Sequence, residues 1–382
     1  MKREIFGPEH DAFRKVIADY LQAYVVPRFA EWEHQGNAPR EFFRAMGDLG
    51  VMGMSLPTEH GGGGVDDYRY NVILQEEAAR ALVTLGTLRT QLDTIQPYFR
   101  TYCDEEQRRR WFPGLACGEL LTAIAMTEPD TGSDLAAVRT SAVRDGDCYV
   151  VNGAKTFITG GDLADLVIVL ARTGTDPQDR RQGLTMLVVE DGMPGFVRAR
   201  RLDKIGLKVQ DTVELSFTDV RVPVRNRLGD EGAAFGYLGR NLAQERLAIA
   251  VGAVAQARAA LDVTVGYVKQ RVVFGRPVSQ FQNTKFELAA VSAEVEAAQA
   301  LLDRAITAHL DGDLDPVDAA KTKLFCTEVQ GRAVDRCLQL FGGYGYINEF
   351  PIARLFIDAR VTRIYGGTSE VMKSIISKSL GL

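Results

Sequence analysis

Cys148-Tyr149-Val150-Val151, then Asn152-Gly153, then Lys155-Thr156-Phe157-Ile158 is the stretch on which the fold turns. β-Branched and aromatic residues flank an Asn-Gly pair, the pattern of two strands joined by a tight turn. Similar β-rich runs follow at 166–170, 184–189, 196–201 and 212–217, with Gly and Asp clustered between them. The spacing predicts a compact antiparallel β unit over residues 121–230.

Outward from this unit the period changes on both sides. Toward the N-terminus Leu21, Val25, Phe29 and Trp32 recur at three and four residues, as on one helix face. Gly61-Gly62-Gly63-Gly64 interrupts as a loop, and helical spacing resumes through Val72, Leu74, Ala78 and Leu82. Toward the C-terminus Leu247, Val251, Val254 and Leu261 form one stripe, and Cys326, Val329, Ala333, Cys337 and Leu340 another. Asp315-Pro316 is a helix start. The expected fold is mainly α with a central β domain: a helical domain over 1–120, the β domain over 121–230 and a helical bundle over 231–382. No G-x-G-x-x-G follows a strand, so a doubly wound parallel sheet is not expected.

Composition narrows the class. At 382 residues, 46% hydrophobic and 25% charged, the chain is an ordinary globular protein of more than one domain. A formal charge of −5 argues against a nucleic-acid partner. Charges interrupt the long apolar stretches, so no membrane insertion is expected. Met1-Lys2-Arg3-Glu4-Ile5-Phe6-Gly7 lacks the apolar core of a secretion signal, and Ser379-Leu380-Gly381-Leu382 is not a peroxisomal ending; cytoplasm is the expected location. An excess of arginine over lysine suits a GC-rich bacterial genome. The five cysteines include no C-x-x-C pair and are expected to be reduced, with Cys326 and Cys337 in the core. The four histidines have no metal-ligand spacing, and no metal is expected.

Five motifs carry chemistry. Ala125-Met126-Thr127-Glu128-Pro129-Asp130-Thr131-Gly132-Ser133-Asp134 is a polar, Gly/Pro-kinked loop whose amides and hydroxyls suit an anion or a heteroaromatic edge; a capped β-turn explains it equally. Thr156-Phe157-Ile158-Thr159-Gly160 alternates like an ordinary strand. Arg271-Val272-Val273-Phe274-Gly275-Arg276-Pro277, running on to Gln282, suits a phosphate or adenosine, or is a solvated basic helix end. In Gln339-Leu340-Phe341-Gly342-Gly343-Tyr344-Gly345-Tyr346 the glycines permit close approach of a ligand or cap a helix. The last is Ile364-Tyr365-Gly366-Gly367-Thr368-Ser369-Glu370.

In this order and spacing the motifs resemble the flavin-dependent acyl-CoA dehydrogenases, over nearly the whole chain from Gly7-Pro8-Glu9-His10 to Lys373. The resemblance implies a barrel-like antiparallel middle domain, a C-terminal four-helix bundle and FAD as cofactor. It implies that Met126, Thr127, Gly132 and Ser133 border the flavin, with Ser133 also near substrate. Phe157 would lie against the ring and Thr159 near its N5, while Thr368 and Glu370 touch FAD. Arg271, Phe274, Gln282, Gln339, Gly342 and Gly343 would reach a neighbouring subunit's FAD, which implies a homo-oligomer, a dimer of dimers. The implied substrate is an acyl-CoA or acyl-carrier-protein thioester, with electrons passed to an electron-transfer flavoprotein. A flavin oxidase or monooxygenase on the same fold is the alternative.

The base is where this chain departs from the commonest pattern. Removing an α-proton from a thioester needs a carboxylate in a dry pocket. Most of the family has glutamate where this chain has Gly366, and glycine can take no proton. Glu128 and Asp134 lie in the loop that meets the cofactor, and Glu370 lies in a stretch that touches FAD. Gln244-Glu245-Arg246 is similar to the long-chain branch, where the helix supplies the base. On spacing alone Glu245 could be a surface charge beside Arg246. The resemblance implies that Glu245 is the base, that the Gly366 N–H polarises the thioester carbonyl, and that Arg246 lies near the thioester arm. It also implies that Tyr98 and Phe99 line the far end of the acyl pocket, so short or medium chains are expected; on the residues alone the two side chains could equally point into the bundle core.

Overall fold

The computed structural model describes residues 3–176 and 178–382. Six helices come first: α1 (Pro8–Tyr20), α2 (Phe29–Gln35), α3 (Arg40–Asp48), α4 (Arg69–Arg80), α5 (Gln96–Tyr102) and α6 (Glu105–Ala116). Leu21, Val25, Phe29 and Trp32 are all buried in one apolar cluster. Thr90–Ile95, leading into α5, is π-helical. A π-helical turn shifts the register of the side chains that follow it and recurs at functional sites.

Eight strands then build one sheet: β1 (Thr122–Ala125), β2 (Ser141–Asp145), β3 (Cys148–Thr159), β4 (Leu166–Arg172), β5 (Leu184–Glu190), β6 (Phe196–Arg201), β7 (Thr212–Pro223) and β8 (Arg227–Leu228). The path runs β6-β7-β3-β2-β4-β5-β8, with β1 against β4. Two expectations need correction. The sheet is not wholly antiparallel, because β4 pairs in parallel with both β1 and β2. Among the described residues β6 and β8 do not pair, so the barrel stays open.

Asn152-Gly153 is not a turn either; β3 runs straight through it. The reversal is at Gly146, φ +60°, where Asp145 faces Cys148 across the β2–β3 hairpin. Asn152-Gly153 instead forms a bulge against β7. Asn152 Nδ2 donates to Asp219 Oδ1 (3.0 Å) and its Oδ1 accepts from Asp219 N (2.9 Å). Gly153, at φ +152°, is tight against Thr140, where a Cβ would meet Oγ1 at 2.5 Å. Pairing with β7 outweighed the local turn preference.

The C-terminal part holds α7 (Ala234–Gln270), a short hairpin of β9 (Val272–Val273) and β10 (Arg276–Pro277), α8 (Gln282–Leu310), α9 (Pro316–Phe341), α10 (Pro351–Ala359) and α11 (Ser369–Ser379). Asp315 caps α9, accepting from the Val317 and Asp318 amides at 2.7 and 2.8 Å. The three long helices pack on one another; α10 packs on α7 and α9, and α11 on α9. Helix α7 is long and apolar enough to cross a bilayer on length and composition. Its apolar face is spent on α4, α8, α9 and α10, as expected of the central helix of a bundle.

Candidate active site

Helix α7 sets the site. Glu245 lies about three turns into it and faces the turn between the segment 360–363 and α11. A Cβ added at Gly366 would lie 3.4 Å from Glu245 Oε1 and would run into Ile249 Cδ1. The Glu245 carboxylate therefore occupies the place a side chain at 366 would enter. Its Oε2 is buried and accepts no hydrogen bond, and the Arg246 Nε beside it is also unpartnered. Burial pushes the Glu245 carboxyl above the usual carboxylate range, against the opposing charges of Arg89, Arg246 and Lys323. A desolvated carboxylate with a free lone pair is what a general base needs.

Gly366 and Gly367 take φ +62° and +95°, a region costly for other residues. No hydrogen bond to the Gly366 N–H is found among the described residues, so it is free to donate. The turn is fixed from below by Lys323 of α9, 1% exposed, whose Nζ donates to the Gly367 carbonyl. Burial lowers that ammonium to about 8. Thr368 caps α11 through its Oγ1, which accepts from Val371 N (3.3 Å), and Glu370 is exposed in the first turn.

The other candidates fall into two groups. On the β domain, Thr156 N donates to Thr127 O (3.0 Å), bringing the loop of Met126 and Thr127 beside Phe157 and Thr159. Phe157 holds φ +60° with its ring 67% exposed, an outlier for a bulky residue and a sign of function. Gly132 and Ser133 are exposed on the same loop. Glu128 pins the loop from inside, accepting from Lys155 Nζ (2.9 Å), Thr140 N (2.8 Å) and Thr140 Oγ1 (2.6 Å). Asp134 is spent on Arg180 at the surface (3.1 Å). An aromatic face offered beside a polar backbone edge fits a flavin ring.

The second group sits at the far end of the bundle. Arg271, Phe274, Gln282, Gln339, Gly342 and Gly343 are all exposed there. The Arg271 guanidinium lies 5.3 Å from the Tyr344 ring centre, joining the β9–β10 hairpin to the glycine pair. Arg271 follows α7, 26 residues beyond Glu245 and about 39 Å along the axis, so it stands far from that carboxylate.

Phe99 points into the core. It packs edge to face on Trp111 (5.6 Å) in the core beneath α6 and does not reach the cleft along α7. The π-helical turn before α5 directs it there. Tyr98 is fully buried, with its hydroxyl in the field of Glu245 and beside Asn241.

Sequence reasoning missed Arg89, Asp93 and Lys323. Asp93 accepts from Asn71 Nδ2 (2.5 Å) and Gln75 Nε2 (3.0 Å), and burial raises its carboxyl to about 6. Lys323 had a visible signal, since it continues the apolar stripe of Cys326 and Ala333, where a lysine is out of place.

Family profiles described as the N-terminal, middle and C-terminal domains of acyl-CoA dehydrogenase match residues 7–119, 123–220 and 233–381. The chain is 41% identical to the mitochondrial long-chain specific acyl-CoA dehydrogenase of Sus scrofa, over 99% of this chain and 88% of that one. An acyl-CoA dehydrogenase structure from Geobacillus kaustophilus superposes with a TM-score of 0.97 at 41% identity, covering 100% of both chains. A glutaryl-CoA dehydrogenase from Mycobacterium smegmatis, in complex with FADH2, gives 0.88 at 28% identity over 98% of this chain and 95% of that one. The three profiles span the described fold end to end, and the chain belongs to the acyl-CoA dehydrogenase family.

Proposed function

We propose that this protein is an FAD-dependent dehydrogenase that converts an acyl-CoA thioester to the trans-2-enoyl thioester. The observation that carries this is the Glu245 carboxylate, desolvated, unpartnered at Oε2 and standing where a side chain on Gly366 would enter. Glu245 takes the α-proton of the thioester, and the Gly366 N–H donates to its carbonyl oxygen as negative charge develops there. Arg246 supports the carboxylate electrostatically. Met126, Thr127, Gly132, Ser133, Phe157, Thr159, Thr368 and Glu370 would hold FAD, which would supply the two-electron oxidation of the Cα–Cβ bond. An electron-transfer flavoprotein collects the electrons. An acyl group on a carrier protein would present the same pantetheine arm, and the cytoplasm is the proposed location.

A dimer or dimer of dimers is part of the proposal. What supports it is that the Arg271 group stands about 39 Å from Glu245 along α7 and carries Phe274, 95% exposed.

The test is anaerobic titration of the yellow holoenzyme with a panel of acyl-CoAs. Bleaching of the flavin band, lost in Glu245→Gln with FAD retained, supports the assignment. No bleaching with any acyl thioester overturns it.

A further inference from the structure

A cleft leaves the site along α7. Glu245, Ile249, Gly252 and Gln256 are spaced at four, three and four residues, one continuous stripe of a helix. The last three line the cleft. Gly252 keeps it open, since a Cβ there would meet Gln75 Oε1 of α4 at 2.9 Å. A thioester with its α-carbon at Glu245 would run its acyl tail down this stripe.

The walls do not suit a plain hydrocarbon. Gln75, Gln256, Tyr365 and the guanidinium of Arg89 all face the cleft. Arg89 makes no hydrogen bond and no ion pair among the described residues; its one contact of note is with the Tyr365 ring, 5.5 Å from the centroid. Its neighbour Asp93, four residues on, is engaged by Asn71 and Gln75 of α4. Of the buried cations, Lys323 has the Gly367 carbonyl and Lys155 has Glu128, while the Arg246 Nε has no partner. The Arg89 guanidinium is half-buried and offers its donors to the cleft, where no group among the described residues engages them. Three cations, Arg89, Arg246 and Lys323, also stand against two carboxylates, Glu245 and Asp93, so the site has room for one more negative charge.

We propose that Arg89 binds an oxygen on the acyl tail, so that the enzyme selects an oxygenated acyl thioester over an unsubstituted one of the same length. A tail carboxylate fits the charge balance best, and a tail hydroxyl offers the same acceptor without charge. This rests on the dehydrogenase reading above and adds the chemistry of the tail.

The experiment compares hexanoyl-CoA, 6-hydroxyhexanoyl-CoA and adipoyl-CoA as substrates of the parent holoenzyme, Arg89→Met and Arg89→Lys, reading kcat/KM and flavin bleaching. The parent is expected to prefer one or both oxygenated thioesters by about tenfold or more. Arg89→Met should lower their kcat/KM by about 10- to 100-fold more than that of hexanoyl-CoA, the range for a lost hydrogen bond to a charged group, on top of a loss common to all three thioesters through its charge on Glu245. Arg89→Lys should restore part of the preference, and which arm wins separates carboxylate from hydroxyl. A parent that prefers hexanoyl-CoA overturns the inference, whether or not the variants fold, and leaves the dehydrogenase reading intact. Equal losses on all three thioesters also overturn it, since Arg89 would then act only on Glu245. Absence of bleaching with every thioester would bring down the dehydrogenase reading and this inference together.

Discussion

The proposed base, Glu245, would concentrate the chemistry in one carboxyl group, and its surroundings fix how it titrates. Burial raises it and Arg89 opposes burial most among the charges. A base must be ionised to act, so turnover should rise with pH through a midpoint above the ordinary carboxylate range, then level off. Glu245→Gln keeps the shape but removes the basicity. It should cost about 10²–10⁴-fold in kcat with FAD content unchanged. A rate within about threefold of the parent in a dehydrogenation assay would rule Glu245 out. Moving the base back to position 366 is harder than the resemblance alone implies. A side chain on Gly366 must accept φ +62° and displace Ile249 Cδ1. Glu245→Gln with Gly366→Glu should therefore recover little, and adding Ile249→Ala should recover more. If the Ile249 change makes no difference, the clash does not limit the rescue.

At the scale of elements the catalytic turn is held by a helix it does not belong to. Lys323 rises from α9 to the Gly367 carbonyl, and its charge is one of those opposing the rise in the Glu245 carboxyl. Lys323→Met should loosen the turn, lower kcat by about tenfold for one lost charged hydrogen bond, and move the pH midpoint upward. A slower enzyme with an unmoved midpoint would mean that Lys323 acts on the turn alone. What the sequence revealed of these elements follows from range. The stripes of α7 and α9 and the capping of α9 by Asp315 are local patterns and were legible. Asn152-Gly153 misled because its turn preference was overridden by β7, about 65 residues away. Phe99 was left open because the resemblance assigns its stretch to the pocket as a whole, while packing on Trp111 decides which way the side chain points. Gly366 and Glu245 stood out because a missing carboxylate in one motif has a counterpart in another. Arg89 did not, since its lack of a partner is visible only when α4, α7 and the segment before α5 are assembled.

At the scale of the molecule the two groups of cofactor candidates bear on the proposed assembly. The Phe157 group belongs to the β domain, and the Arg271 group lies at the far end of α7, about 39 Å from Glu245 along the helix. That far end is left apolar and open: Phe274 is 95% exposed at φ +48° and Tyr346 is 91% exposed. Large aromatics left bare beside an unpaired guanidinium mark a surface that another molecule covers. A second copy covering it would bring Arg271 to the outer part of the FAD held by its partner's Phe157 group, so cofactor retention and assembly should fail together. Sedimentation of the parent should give a dimer or larger species with one FAD per chain. Phe274→Asp buries a charge in that contact and should shift the protein toward monomer with reduced FAD occupancy. Arg271→Ala should weaken FAD retention while leaving much of the assembly in place. Both variants should keep the parent's far-ultraviolet dichroism, since neither residue is in the core. A Phe274→Asp monomer that keeps full FAD occupancy would show that each chain completes its own cofactor site, and the 39 Å separation would then need another purpose.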